Sequence, residues 1–149
     1  MRLQELLAYK KSVALAMKVF EITKSFPKEE TYSLTDQIWR SSRSVPATIA
    51  EAYRKRIYPE HFYSKLADSD GQNSETQVWL AYALSCNYIS EAIYHEFISE
   101  SLEIGKRVNY MILNPEKFVV KKERLIVFVF STYLIAKQLP TEYFLKTEH

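Results

Sequence analysis

The residues that come nearest to a chemistry in this sequence are the cations between positions 40 and 56. Arg40, Arg43 and Arg54 recur on one side of a helix at about 100° per residue, and Lys55 and Arg56 follow at its end. Guanidinium and ammonium groups in such a row suit the phosphates of an RNA or DNA backbone, which they would grip through charge without reading bases. Aromatic residues for base stacking are plentiful, but spacing alone puts none of them on this row. A solvated face, or a surface that meets another copy, would use the same charges. Catalytic groupings are missing from the sequence. It has no G-x-x-x-x-G-K-S/T phosphate loop. The residues three before His61 and His95 are Tyr58 and Ala92, so the Glu-x-x-His pairs of di-iron bundles do not occur. His149 is terminal, and Cys86 stands alone, which leaves no metal cluster. Asp68-Ser69-Asp70 opens like a calcium loop, but the remaining ligands do not follow at the right spacing. Glu51 is within reach of Lys55 and reads as a helix ion pair rather than a base. The expectation is a protein that is no enzyme and needs no cofactor or metal.

The element that positions the cations is a helix from about Asp36 to Arg56, with Thr35 expected as its cap. Leu34, Ile38, Val45, Ile49 and Ala52 form its core face, with small Ser41 and Ser42 between them. Trp39, Pro46, Ala50 and Tyr53 form a second apolar strip, so Trp39, Pro46 and Tyr53 are candidates for an oligomer interface. Pro46 inside the helix predicts a kink near Ser42. A first helix over about 3–25 carries two stripes, Leu6-Val13-Ala16-Phe20 and Ala8-Leu15-Val19-Ile22-Phe26. Together they are wider than one core face requires, which again suggests contact between subunits. Phe26-Pro27 ends it. Tyr58-Pro59-Glu60 opens a third helix, to about 87, with Phe62, Leu66, Asn73, Leu80 and Leu84 at helical spacing. Its middle, Asp68 to Glu75, reads as polar on all sides and as the weakest place in the fold, with Gly71 inside it. Cys86 is expected to pack as a small buried hydrophobe. Ser90 can cap a fourth helix, to about 113, whose stripe is Ile93, Phe97, Ile104, Val108 and Met111 or Ile112, and Asn114-Pro115 stops it. Short turns between four helices predict an all-α, antiparallel up-down-up-down bundle over 1–115.

The residues from 116 to 149 form an atypical tail. Its apolar run, Leu125 to Ala136, is too short for a stable membrane span, and a short docked helix or a membrane-surface segment are the two readings. The whole chain of 149 residues, with two glycines, suits one helical domain. Its net charge of +2 conceals a division. Residues 1–56 carry 11 Lys/Arg against 6 Asp/Glu, residues 57–115 carry 3 against 8, and residues 116–149 carry 6 against 4. Such a division can guide a basic face of one copy to an acidic face of another, or hold a polyanion. One cysteine and a polar, charged start predict a cytoplasmic protein.

The loop and helix together also carry a resemblance. F-P-K-E-E-x-Y-x-L-T-x-Q-I-x-R, starting at Phe26, followed in register by S-V-P-x-x-I-A-E from Ser44, resembles the small bacterial four-helix-bundle family named after proteins encoded in 23S rRNA intervening sequences. The likeness extends more loosely from Leu6 to Lys122. The chain departs from the family pattern at Ala52, where Gly is usual, and over Ser69–Val78, where only E-T-Q is kept. The resemblance implies the bundle fold and a homopentamer. It also brings an analogy with a related accessory protein of diversity-generating retroelements, which engages nucleic acid and a reverse transcriptase. The rival expectation is a structural scaffold or protein-interaction module.

Overall fold

The computed structural model describes residues 2–119. The expectations for the apolar tail lie outside the described residues. Four helices account for most of what is described: α1 (Leu7–Thr23), α2 (Leu34–Lys55), α3 (Pro59–Ser85) and α4 (Glu91–Leu113). Among the described residues there is no strand. A short 3-10 turn, Leu3–Glu5, precedes α1 in place of its expected first turn, and Pro115–Lys117 forms another after α4. Phe118 and Val119 pack against the core.

Each helix buries the stripe its spacing marks. Ile38, Ile49, Phe62, Leu66, Leu80, Ile104, Val19 and Val108 are fully enclosed. Each such side chain contributes about 1.5–3 kcal/mol on leaving water. Every helix packs on two others: α2 lies against α1 and α3, and α4 against α3 and α1. Named contacts fix the registers. Val45 faces Ser69 and Ser41 faces Thr76 across α2 and α3, Asn73 faces Ser101 across α3 and α4, and Lys18 reaches Glu96 and Glu100 from α1 to α4.

The middle of α3 departs from the reading of the sequence. Ser69, Asn73 and Thr76 continue the buried stripe between Leu66 and Leu80 and meet polar residues on the facing helices. Ser69 Oγ donates to the Val45 carbonyl at 3.1 Å, and Thr76 Oγ1 donates to Ser41 Oγ at 3.0 Å. Asn73 Nδ2 donates to the Ser101 carbonyl at 3.0 Å, and Ser101 Oγ returns a bond to Asn73 Oδ1 at 2.9 Å. Gln77 Nε2 adds a donor to Ser101 Oγ at 2.9 Å. Among the described residues no buried side-chain nitrogen or oxygen lacks a partner. The stretch is polar on all sides, as its residue types predict, but its inner side is a hydrogen-bonded polar layer of the core.

The helix ends also differ. α2 begins at Leu34, so Thr35 is a buried first-turn residue and not its cap. Ser33 occupies the cap position without a side-chain cap bond, and Glu30 supplies the acceptor instead, taking the Leu34 N–H at 3.1 Å. α2 runs unbroken through Pro46. α3 closes with Asn87 at φ 58°, in the left-handed region that Asn tolerates better than most residues. Tyr88 N–H bonds back to the Ala83 carbonyl and Asn87 N–H to the Leu84 carbonyl, both at 2.9 Å, which satisfies the last carbonyls of the helix. Ser90 caps α4 as expected, accepting from Ile93 N–H at 3.3 Å.

Candidate nucleic-acid interface

α2 places Arg40, Arg43, Arg54 and Lys55 on its exposed side, opposite the face buried by Ile38, Val45, Ile49 and Ala52. From Arg40 to Arg54 the helix rises about 21 Å, at ~1.5 Å per residue. The four cations differ in their surroundings. Arg40 is held loosely by Asp36, one turn earlier, at 3.8 Å. Arg43 lies over two aromatic faces, 4.9 Å from the Trp39 ring and 5.5 Å from Phe20. Stacking fixes the plane of its guanidinium and leaves the edge donors for an anion. Arg54 and Lys55 form no ion pair among the described residues.

Arg56 does not join this row. Its guanidinium sits 3.7 Å above the Tyr53 ring and donates to the Tyr53 carbonyl at 2.7 Å, finishing the end of α2. Glu51 falls in the middle of the basic face, and its partner is Lys65 of α3, at 3.2 Å, rather than Lys55. Lys65 also meets Asp68, and the two carboxylates, Glu51 first, raise its pKa. Lys65 thus offsets part of the Glu51 charge from outside the row, its single cation being shared with Asp68. Of the α1 lysines, Lys10 and Lys11 are exposed. Lys18 is bound by Glu100 and Glu96, which raise its pKa in that order.

The residues expected at an oligomer interface have distinct places. Trp39 packs on Phe20 with ring centroids 5.5 Å apart, and its Nε1 donates to Thr23 Oγ1 at 2.6 Å. Pro46 is buried at the floor of a groove between α1 and α2 that also takes in Tyr9, Val13, Met17, Ala47 and Ala50. Tyr53 is half-buried beneath the Arg56 guanidinium. Cys86, expected inside, is exposed, because the helix end turns it outward just before Asn87.

The spacing of the sequence did not single out Glu30. One carboxylate oxygen accepts from Leu34 N–H, and the other accepts from the Tyr88 hydroxyl at 3.1 Å. Leu34 N–H, Ser33 and Tyr88, in that order, hold its carboxyl below the ordinary value. Its place in F-P-K-E-E, four residues before an apolar helix start, was the available signal. His61 and His95 are exposed, each against an aromatic ring, Tyr58 and Tyr94 respectively. Among the described residues no group of three His, Cys, Asp or Glu is placed to hold a metal ion. No helix among them is long and apolar enough to cross a membrane.

Four helices that share one core, with short turns before α3 and α4 and a longer loop over 24–33 leading into a basic helix, define a small helical-bundle protein. The chain belongs to the 23S rRNA-intervening sequence protein family, whose model matches residues 4–110. It is similar to the crystal structure of a protein of unknown function from the S23 ribosomal protein family of Bacteroides thetaiotaomicron VPI-5482. The identity is 27% and the TM-score 0.65, over 71% of this chain and 95% of that one. No curated protein matches the chain.

Proposed function

We propose that this chain is a non-enzymatic, oligomeric bundle that holds the backbone of RNA or DNA on the basic face of α2. The observation that carries the reading is that Arg43, Arg54 and Lys55 are exposed on one helix without a carboxylate partner among the described residues, with Arg40 only loosely paired. Phosphates would supply the missing anions. Arg43 is the best prepared, since its stack on Trp39 and Phe20 lowers the entropy lost on binding. No base-reading element accompanies these residues, so binding is independent of sequence. Arg56 contributes by closing the helix rather than by contact.

The up-down-up-down, antiparallel arrangement belongs to the same reading. It is supported by the opposed order of the pairs Glu51–Lys65, Val45–Ser69 and Ser41–Thr76 along α2 and α3. An assembly of several copies would multiply the charge of the face, and the family likeness suggests five. A scaffold without nucleic acid is the second reading, favoured by the apolar groove between α1 and α2.

The test is titration of labelled single-stranded RNA and duplex DNA at low and moderate salt. Both bind weakly, and affinity falls steeply with salt because counterions return to the phosphates. The double variant Arg40→Ala, Arg43→Ala weakens all sequences about equally and flattens the salt slope by about two, at ~0.9 per phosphate contact. Absence of binding at low salt leaves the scaffold reading in place.

A further inference from the structure

At the start of α2 a second surface has the opposite character. A groove of about 440 Å³ runs between the first turn of α2 and the last turns of α3, lined by Glu30, Tyr32, Gln37, Trp79, Tyr82 and Cys86 among others. Trp79 and Tyr82 stand with ring centroids 5.7 Å apart and planes 33° apart. Tyr82 is 55% exposed, and Tyr32, in the loop before α2, is 95% exposed. Two carboxylates accompany these rings, and both are held by neutral donors. Glu30 accepts from Leu34 N–H and the Tyr88 hydroxyl. Glu75 accepts from Trp79 Nε1 at 3.1 Å and Gln72 Nε2 at 3.3 Å. Among the described residues no Lys, Arg or His pairs with either. Glu29, Glu60, Asp70, Glu91 and Glu116 are likewise without an ion pair among the described residues, but only Glu30 and Glu75 combine this with a place beside the Trp79–Tyr82 rings.

We infer that this groove is a docking site for an arginine side chain presented by a partner protein. The aromatic faces attract a cation through their quadrupoles, and a guanidinium is flat enough to lie on Trp79 or Tyr82 while its edge donates to a fixed carboxylate. A lysine offers a point charge without that fit. The carboxylates disfavour nucleic-acid phosphates at the same place, so the groove selects against the polyanion proposed for the other part of α2. The inference rests on the groove's own charge and aromatic content and stands apart from the nucleic-acid reading.

Cys86 makes the test direct, because it is the single cysteine of the chain and is exposed in the groove. The alkylation rate of Cys86 by iodoacetamide, a neutral reagent, is followed in the full chain with an oligo-arginine peptide, an oligo-lysine peptide or a single-stranded RNA. Oligo-arginine slows the reaction, and oligo-lysine does so only at higher concentration. Tyr82→Ser raises the oligo-arginine concentration required by about fivefold, the scale of one exposed cation–π contact, and Glu75→Gln, which removes the charge held against Trp79 at the groove's edge, raises it as well. Tyr32→Ser, at a side chain nearly free of contacts, gives the same direction without disturbing the core. Arg40→Ala leaves the protection unchanged. Three results overturn the inference: no protection by oligo-arginine, protection by RNA alone, or equal protection in the wild-type chain and all three groove variants.

Discussion

Glu30 ties three parts of the chain together through one carboxylate. It takes the first free N–H of α2 and the hydroxyl of Tyr88 in the α3–α4 turn, and Phe26 packs on the same tyrosine with ring centroids 5.4 Å apart. The first N–H groups of a helix have no partner within it, and a charged acceptor there also suits the positive end of the helix dipole. Residue type at the helix start points to Thr35 for this role, and Thr35 is instead buried in the first turn. The turn before α2 folds so that the carboxylate four residues before Leu34 reaches its N–H, a local geometry that side-chain type alone does not specify. Cys86 is exposed for a related reason: apolar character predicts burial only where the helix still faces the core. The lowered pKa of Glu30 gives a signed prediction. The folded chain holds this carboxylate more strongly charged than the unfolded chain does. Its stabilisation is therefore present above the unfolded value, about 4.3, and is lost as pH falls through the lower folded value. Urea unfolding of the wild type and Glu30→Gln, from neutral pH to about pH 3, measures it. The wild type is more stable at neutral pH, and the gap closes in acid. A gap that does not change with pH would assign the effect to packing instead.

At the scale of elements, the period of the apolar residues was enough to find all four helices, and the Ser90 cap and the Asn114-Pro115 stop marked the last of them. The polar layer was only partly legible: Asn73 falls in the stripe by its spacing, but hydrophobic spacing registers Ser69 and Thr76 as gaps. The phase of all three was correct: they lie three to four residues apart between Leu66 and Leu80. What was missing was the knowledge that Ser41 and Ser101 would face them. Gly105 lies beside Asn73, and a Cβ there would make ordinary contact with Asn73 Nδ2 at 3.4 Å. The reciprocal bonds between Asn73 and Ser101 set the register of α3 against α4, and their energetic coupling is measurable. Asn73→Ala leaves the Ser101 groups underpartnered and costs about 1–3 kcal/mol. Ser101→Ala costs an amount in the same range. The double variant falls short of the sum by at least ~0.5 kcal/mol, because the pair is lost only once. Strict additivity in chemical denaturation would show that the two residues contribute independently.

For the whole molecule, the division of charge and the groove between α1 and α2 bear on the same question. The first 56 residues are net positive and residues 57–115 net negative, so in an assembly α1 and α2 of one copy would complement α3 and α4 of another. A contact of this kind joins two different faces, and repeated around an axis it closes into a ring. The apolar material for it is present on both sides. Val13, 37% exposed, and Met17, 52% exposed, border a groove of about 320 Å³ with Ala47 and Ala50, while Val78 and Leu102 are exposed on α3 and α4. Trp39 is a poor probe of this contact, since its bond to Thr23 and its packing on Phe20 already hold α1 to α2. Met17→Asp is cleaner, because the side chain is half exposed within one copy and a carboxylate there is costly only when a second copy covers it. Light scattering of the full chain should therefore give a multiple of the 17.5 kDa monomer, and Met17→Asp should reduce it to the monomer with helical content retained. Leu102→Asp should do the same if unlike faces meet. Loss of assembly in Met17→Asp alone would point to a contact between two α1–α2 faces, which a two-fold dimer would satisfy and a ring would not. Unchanged mass in both variants would remove these faces from the assembly altogether.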